Sequence, residues 1–405
     1  MLGSYGYGRP TSPRLDRLAE RGVLFETAVS TSPWTLPAHA SLFTGLYPSR
    51  HGVRSEYQRL RDETDLLAEI LSRHGYLTLA IVNSYFLSER YGFGLGFDRY
   101  TYLSEIPARR EPSEVFDTAI AWLSATTHRP FFLFVHDYHV HSDYSSLPEF
   151  ERIFRRTYTG DVDGSTRQLS EFRSGERSLS LDDVDHLLDL YAAGIRQTDA
   201  EVGKLLLHLE LSGELQNTLI VVTSDHGEEF LEHGGVLHGR TQYDELMRVP
   251  LILAGPGVPR GRRVSTAVSI VDVLPTVLSL LDVSSSPSVD GVDVTYLWDE
   301  YDDTPAGKRF LFGEADHNNE RHDITRSVRY LYYKLIHNRL TKSFALYDLV
   351  LDPREQVDVS GEQGALTALL RSQLEDFMEI EVAGESLPEL DQDVEERLRE
   401  LGYMR

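Results

Sequence analysis

Thr218-Leu219-Ile220-Val221-Val222-Thr223-Ser224-Asp225-His226-Gly227-Glu228 is an apolar run that delivers a carboxylate and an imidazole at the point where it stops. Consecutive apolar residues without polar alternation suit a strand buried on both faces. Gly227 then lets the chain turn sharply. Asp225 and His226, side by side at a strand end, are good ligands for one divalent metal ion. The plainer reading is a turn with an aspartate N-cap. The apolar lead-in tips the balance toward a site.

Outward from that stretch, β-rich runs recur at residues 78–82, 131–135 and 250–254, and helical periodicity at 65–72, 112–126, 181–212 and 271–281. Ser12-Pro13, then Leu15, Leu18 and Ala19, then Gly22, read as a capped helix with Ser12 as N-cap. Strands alternating with helices predict an α/β fold: a mostly parallel sheet sandwiched by helices, with its site at the carboxyl ends of the strands. A large domain is expected over residues 1–295. Residues 152–180 read as an insertion loop or lid, and 284–287 as a turn-rich joint. A small C-terminal α+β subdomain with an antiparallel sheet follows over 296–380. Its strands are placed at 330–336 and 344–349 and its helix at 365–379. Residues 381–405 read as an acidic tail, loose or short helical from 385 on.

Composition narrows the function classes. The 405 residues carry 64 acidic against 40 basic side chains, a net charge of -24, which argues against nucleic-acid binding through a basic surface. There is no cysteine, so disulfides, thiolate metal sites and a cysteine nucleophile are excluded. No apolar run approaches the roughly 18 residues of a membrane span. MLGSYGYGRP shows no signal-peptide pattern, so the chain as it stands is expected in the cytoplasm. Oligomeric state is not legible.

Two further clusters could carry chemistry. In Trp34-Thr35-Leu36-Pro37-Ala38-His39-Ala40-Ser41-Leu42-Phe43-Thr44-Gly45, followed by Tyr47-Pro48-Ser49-Arg50-His51-Gly52, Thr35 stands just before a helix start. The field there stabilises an alkoxide or a bound oxyanion. By propensity alone a helix cap is the more economical reading of Thr35. In Phe131-Phe132-Leu133-Phe134-Val135-His136-Asp137-Tyr138-His139-Val140-His141, three histidines follow a very apolar strand. Lone histidines are usually structural, but this density at a strand end favours a site. His233 and His238 add two more imidazoles in a loop.

Together these segments resemble the sulfatase family of the alkaline phosphatase superfamily. Residues 35–52 resemble its signature, Cys/Ser-x-Pro-x-Arg, then a small-residue helix with Thr-Gly, then Tyr-Pro and Arg-His-Gly. Ser224-Asp225-His226-Gly227 is similar to its second metal motif, and Tyr191 to Gly203, with Asp199, to its Tyr-x-Ala…Asp…Gly helix. Arg248-Val249-Pro250, Asp272-Val273-Leu274-Pro275-Thr276, Leu346-Tyr347-Asp348-Leu349 and Asp352-Pro353-Arg354-Glu355 match later landmarks, in order.

The resemblance implies a metal-dependent hydrolase of sulfate or phosphate esters. Thr35, Asp225 and His226 would hold one divalent ion, with Mn²⁺ or Zn²⁺ favoured over Ca²⁺. Thr35 would be the nucleophile. His141 and His238 would bind the anion or protonate the leaving oxygen, and His39 and His139 would contact the substrate. Two departures stand out. Thr35 occupies the slot of the Cys or Ser that becomes formylglycine, so no formylglycine is expected, and His39 replaces the signature arginine. Threonine is the nucleophile in relatives acting on phosphodiesters or phosphonates, or transferring phospho-groups. The family's first strand, ending in a metal-binding aspartate, is also missing. That points to N-terminal incompleteness, with an apolar slot left in the sheet, or to a non-catalytic binder on the same fold.

Overall fold

A computed structural model of the chain describes residues 1–103, 113–125, 129–284, 288–298, 308–315, 325–388 and 395. In chain order the elements are α1 (Pro13–Glu20), β1 (Val23–Val29), α2 (Thr35–Thr44), α3 (Pro48–His51), β2 (Gln58–Arg59), α4 (Leu67–Arg73), β3 (Leu77–Val82), β4 (Arg99–Tyr102), α5 (Ser113–Ala125) and β5 (Phe131–Val135). Next come α6 (Pro148–Phe154), α7 (Thr166–Ser174), α8 (Leu181–Leu211), β6 (Ile220–Thr223), β7 (Glu229–Phe230), β8 (Val236–Leu237), α9 (Asp244–Met247), β9 (Arg248–Ala254), β10 (Arg262–Val264), β11 (Val268–Ser269) and α10 (Val273–Leu280). The chain ends with β12 (Leu311–Ala315), β13 (Thr325–Tyr330), β14 (Tyr333–Asn338), β15 (Ser343–Asp348), α11 (Gly364–Met378) and β16 (Glu385–Ser386).

Two sheets carry the main body. One has the order β10-β1-β9-β6, with β11 also beside β1; the other is β4-β3-β5. Alternate side chains face opposite helical layers, as the period of a strand requires. Val23 and Phe25 of β1, with Leu251 and Leu253 of β9, pack toward α2, α4 and α10. Leu24, Ile252 and Ala254 pack toward Leu18 and Ala19 of α1. Leu79 and Ile81 of β3 meet α5 and α8. The α/β sandwich is therefore the observed fold. Pairing is parallel within β4-β3-β5 and between β1 and its neighbours β10 and β11. β9 runs antiparallel to both β1 and β6. Between β6 and β9 the chain makes only short elements and no long crossover helix, so it returns in the reverse sense.

Other particulars differ from the sequence reading. β1 escapes notice because Glu26 and Thr27 interrupt its apolar run at a register shift between Phe25 and Ala28. Residues 152–180 are more than a loop: α7 forms there, and Val162 and Leu169 are buried beside Tyr144 and Phe230. Residues 330–336 straddle a hairpin turn at Leu331 and Tyr332 rather than forming one strand. The C-terminal strands β12-β13-β14-β15 do form a separate antiparallel sheet, with Leu370 and Leu374 of α11 packed on it. The start of the tail is not loose, because Glu385 and Ser386 pair with β2. Residues 285–287 of the joint and most of the tail lie outside the described residues.

Ser12 does not cap α1 with its side chain; its hydroxyl accepts from Gly3 N and donates to Asp16. The cap comes from α8. Asp199 Oδ1 accepts from Arg14 N and Leu15 N, both at 2.9 Å, and Arg196 pairs with its other oxygen at 2.8 Å. The motif aspartate thus joins the two helices that cover one face of the sheet.

The two sheets do not join. Among the described residues β5 pairs only with β3, and β6 only with β9. Between their facing edges runs a cavity of about 1360 Å³ that both strands line along their whole length.

Candidate active site

Three chain segments meet at the mouth of this cavity: the amino end of α2, the loop after β5 and the turn after β6. Thr35 is the first residue of α2. The cap position is Trp34, which makes no side-chain cap, and the Thr35 hydroxyl turns instead to His226, with Oγ1 3.5 Å from Nε2. The cap reading of Thr35 therefore does not hold. One helical turn on, His39 Nδ1–H donates to the Thr35 carbonyl at 3.0 Å and lies 3.5 Å from Asp225 Oδ2.

The turn after β6 is held by its own backbone. Ser30 Oγ donates to the Asp225 carbonyl, and Gly227 N donates to Leu246 O at 2.8 Å. A Cβ on Gly227 would lie 1.9 Å from the Glu245 carbonyl oxygen, so only glycine fits. His226 Nδ1–H donates to the Gly227 carbonyl at 2.8 Å. That fixes the tautomer and leaves the Nε2 lone pair facing Thr35 and the Asp225 carboxylate, 3.4 Å away. The two legs, 3.5 and 3.4 Å, bring the Thr35 hydroxyl within about 7 Å of that carboxylate.

A second chain of polar groups runs along the other side. His226 and His238 rings lie 4.2 Å apart. His141 Nδ1–H donates to Ser142 O at 2.9 Å, so its Nε2 accepts, receiving the Tyr138 hydroxyl at 3.0 Å and facing His238 Nε2 at 3.3 Å. His238 Nδ1 lies 3.0 Å from Glu228 Oε1. Burial raises the Glu228 carboxyl above the usual range.

Burial also drives the imidazoles toward their neutral forms. His39 and His238 are lowered, and His136 and His141 are pushed down to about 3. Burial works against the Asp225 carboxylate as well, but its ring of neighbours, His226 first and then His39, His136 and His238, holds it well below the ordinary value. The result is an ionised carboxylate ringed by imidazoles, with a hydroxyl beside it. Among the described residues no three His, Asp or Glu side chains close around an ion by themselves. The donors that do converge, Asp225, His226 Nε2 and Thr35 Oγ1, fit one divalent ion in kind.

Of the sequence candidates, Thr35, His39, His141, Asp225, His226 and His238 are brought together. The His139 carbonyl faces Gly194 of α8. His136 takes the nearer place, 5.1 Å from His39 ring to ring, with Nδ1 3.1 Å from Asn83 Oδ1. Sequence reasoning placed His136 in the candidate cluster without a role of its own and did not single out Tyr138 or Glu228. A signal was present for His136, the residue immediately after the last of β5.

Comparison with known proteins agrees with this geometry. Residues 1–283 match the sulfatase family, and residues 232–380 match the C-terminal region of N-sulphoglucosamine sulphohydrolase. An N-acetylglucosamine-6-O-sulfatase of Bacteroides thetaiotaomicron is 24% identical over 89% of this chain and 80% of its own. Mouse arylsulfatase K is 23% identical over 89% and 74%. A solved structure in complex with its substrate D-glucosamine-2-N,6-O-disulfate superposes with TM-score 0.79 at 21% identity, covering 99% of this chain and 95% of that one. The phosphonate monoester hydrolase of Agrobacterium radiobacter gives TM-score 0.73 at 20% identity, over 94% and 92%. The match spans most of the chain and contains the Thr35 and Asp225-His226 segments: the chain belongs to the sulfatase family, and is an ester hydrolase by that membership.

Proposed function

We propose that the chain hydrolyses sulfate or phosphate monoesters through Thr35, with one divalent ion held by Thr35, Asp225 and His226. The observation that carries this is the Thr35 hydroxyl facing the His226 Nε2 lone pair at 3.5 Å, at a helix start where no cap uses it. The ion would lower the pKa of the hydroxyl and polarise a non-bridging ester oxygen. Mn²⁺ or Zn²⁺ suits a carboxylate, imidazole and hydroxyl better than Ca²⁺ does.

Thr35 Oγ1 attacks sulfur or phosphorus in line, its proton leaving to solvent when His226 is a ligand. The bond to the leaving oxygen breaks, and that oxygen takes a proton relayed through the His141–His238–Glu228 chain. Water then attacks the same sulfur or phosphorus, freeing Thr35. The amides at the start of α2 face the anion. His39 orients Thr35 through its carbonyl and stands where the family signature has arginine.

A second reading favours phosphodiesters, phosphonates or phospho-group transfer. Threonine in place of the formylglycine precursor supports it, and the fold shared with a phosphonate monoester hydrolase is consistent with it. A panel of aryl sulfate, phosphate monoester, phosphodiester and phosphonate, each with Mn²⁺, Zn²⁺ and Ca²⁺, separates the two. Turnover of none, with no stoichiometric metal in the purified protein, would leave a non-catalytic binder.

A further inference from the structure

β3 ends where site residues collect, and the residue that follows it is Asn83, buried with 1% of its surface exposed. β3 and β5 run parallel, and their ladder continues as far as His136 N, which donates to Ile81 O at 2.9 Å. The next rung of a parallel ladder would carry Tyr138 N to the main-chain carbonyl of Asn83. Here Tyr138 N donates instead to the Asn83 side chain, to Oδ1 at 2.8 Å. The side chain thus stands in for the backbone at the point where β5 leaves the sheet and the loop to His141 begins.

That bond fixes two assignments. A main-chain amide can only donate, so the Asn83 atom facing it is the oxygen and not the nitrogen. The same oxygen lies 3.1 Å from His136 Nδ1, so that nitrogen carries a proton. Burial favours the neutral His136 ring, which leaves a lone pair on Nε2. The His136 ring stands 5.1 Å from that of His39, whose Nδ1 donates to Thr35 O. Tyr138 in turn holds His141 in three ways. His141 N donates to Tyr138 O at 3.1 Å, the two rings stack at 4.1 Å, and the Tyr138 hydroxyl donates to His141 Nε2 at 3.0 Å. One amide oxygen at the end of β3 therefore acts on two imidazoles that the loop after β5 brings to the site.

We propose that Asn83 is a positioning residue of the hydrolysis, on the reading that His141 belongs to the relay to the leaving oxygen. It holds His136 as the Nδ1–H tautomer and seats Tyr138 so that His141 faces His238. A side chain with no acceptor at this place frees His136 to take its other tautomer and removes the partner of the Tyr138 amide. His141 then loses the fixed distance to His238 that proton transfer needs. Aspartate keeps the oxygen and so keeps both bonds.

The test compares Asn83→Leu, which has no acceptor, with Asn83→Asp, by nitrogen NMR of isotope-labelled histidine rings and by kinetics. Spectra of His136→Gln and His141→Gln assign the signals. The unaltered chain and Asn83→Asp are expected to carry the His136 proton on Nδ1. Asn83→Leu is expected to lose that preference and to shift the His141 Nε2 resonance as the Tyr138 bond weakens. On any ester the chain turns over, Asn83→Leu should slow an alkyl leaving group at least about tenfold more than a nitrophenyl one. Combined with His141→Gln it should cost less than about twofold more, because both changes act on one relay. Asn83→Asp should recover most of the rate. A His136 proton on Nε2 in the unaltered chain, unchanged ring signals in Asn83→Leu, or losses additive with His141→Gln would overturn the proposal. The first of these needs no variant and decides even if Asn83→Leu fails to fold. The ring spectra need no turnover. A chain that hydrolyses no ester but gives the expected spectra counts against the relay, and not against the hold of Asn83 on the two rings.

Discussion

Thr35 has a hydroxyl that no helix amide claims, and His226 presents a lone pair to it because the other ring nitrogen is committed to Gly227. Thr35→Ala is expected to lower turnover of any accepted ester by at least about a thousandfold, the scale of losing a nucleophile. Stability should change by less than about 1 kcal/mol, because the lost contact is long. Single-turnover kinetics and urea unfolding on the same preparation check both; retained activity would mean that water attacks directly. His141 sits farther out, in a chain ending at Glu228. If that chain protonates the leaving oxygen, His141→Gln should slow alkyl esters by about 10²–10⁴-fold and nitrophenyl esters far less, since a good leaving group needs no proton. An equal loss on both substrates would place His141 in anion binding instead. The pairing of Asp225 with His226 was readable from adjacency. The choice of His136 over His139 was not, because it depends on how the chain turns after β5 and on which ring then faces α2.

At the scale of elements, the α2–α3 junction is pinned by a buried imidazole. Val53 N donates to His51 Nδ1 and His51 Nε2–H donates to Ser41 Oγ, both at 3.1 Å, so the ring is neutral in the fold. Burial pushes it down to about 3 from an ordinary 6.5. The unfolded chain therefore binds this proton first as pH falls. The contribution is whole above about pH 6.5 and is lost progressively between there and 3. Between pH 7 and 5 the His51 part of the loss is about 2 kcal/mol. His51→Gln should give a correspondingly shallower fall in urea-unfolding free energy over that interval; an unchanged slope would remove His51 from the account. Strand and helix positions were largely legible, since β3, β5, β9 and α8 follow from their apolar runs and 3.6-residue periodicity. β1 was hidden by its bulge. The sense of β9 could not be read, because direction depends on the path of the connection and not on the strand's own residues.

For the whole molecule, the C-terminal sheet is tied to the main body by a buried cation. Lys334 Nζ on β14 donates to Gln242 O at 2.8 Å and Asp244 Oδ1 at 2.6 Å and forms an ion pair with Glu355 Oε1 at 2.7 Å, while Arg329 also pairs with Asp244. Lys334→Met would leave two carboxylates buried with half their compensation and is expected to cost about 3–5 kcal/mol. A loss below about 1 kcal/mol in urea unfolding would show that these carboxylates reach water instead. Length, charge, the absence of cysteine, the run of strands and helices, and the ordered motifs were all fixed by the sequence. Apolar runs and turn residues act locally, and a local signal survives in one dimension. Which histidines face Thr35, how Asp199 caps a helix distant in the chain, and that the slot falls between β5 and β6 were decided only by the tertiary structure. Each depends on groups far apart in sequence meeting at fixed distances, and no residue carries that information alone.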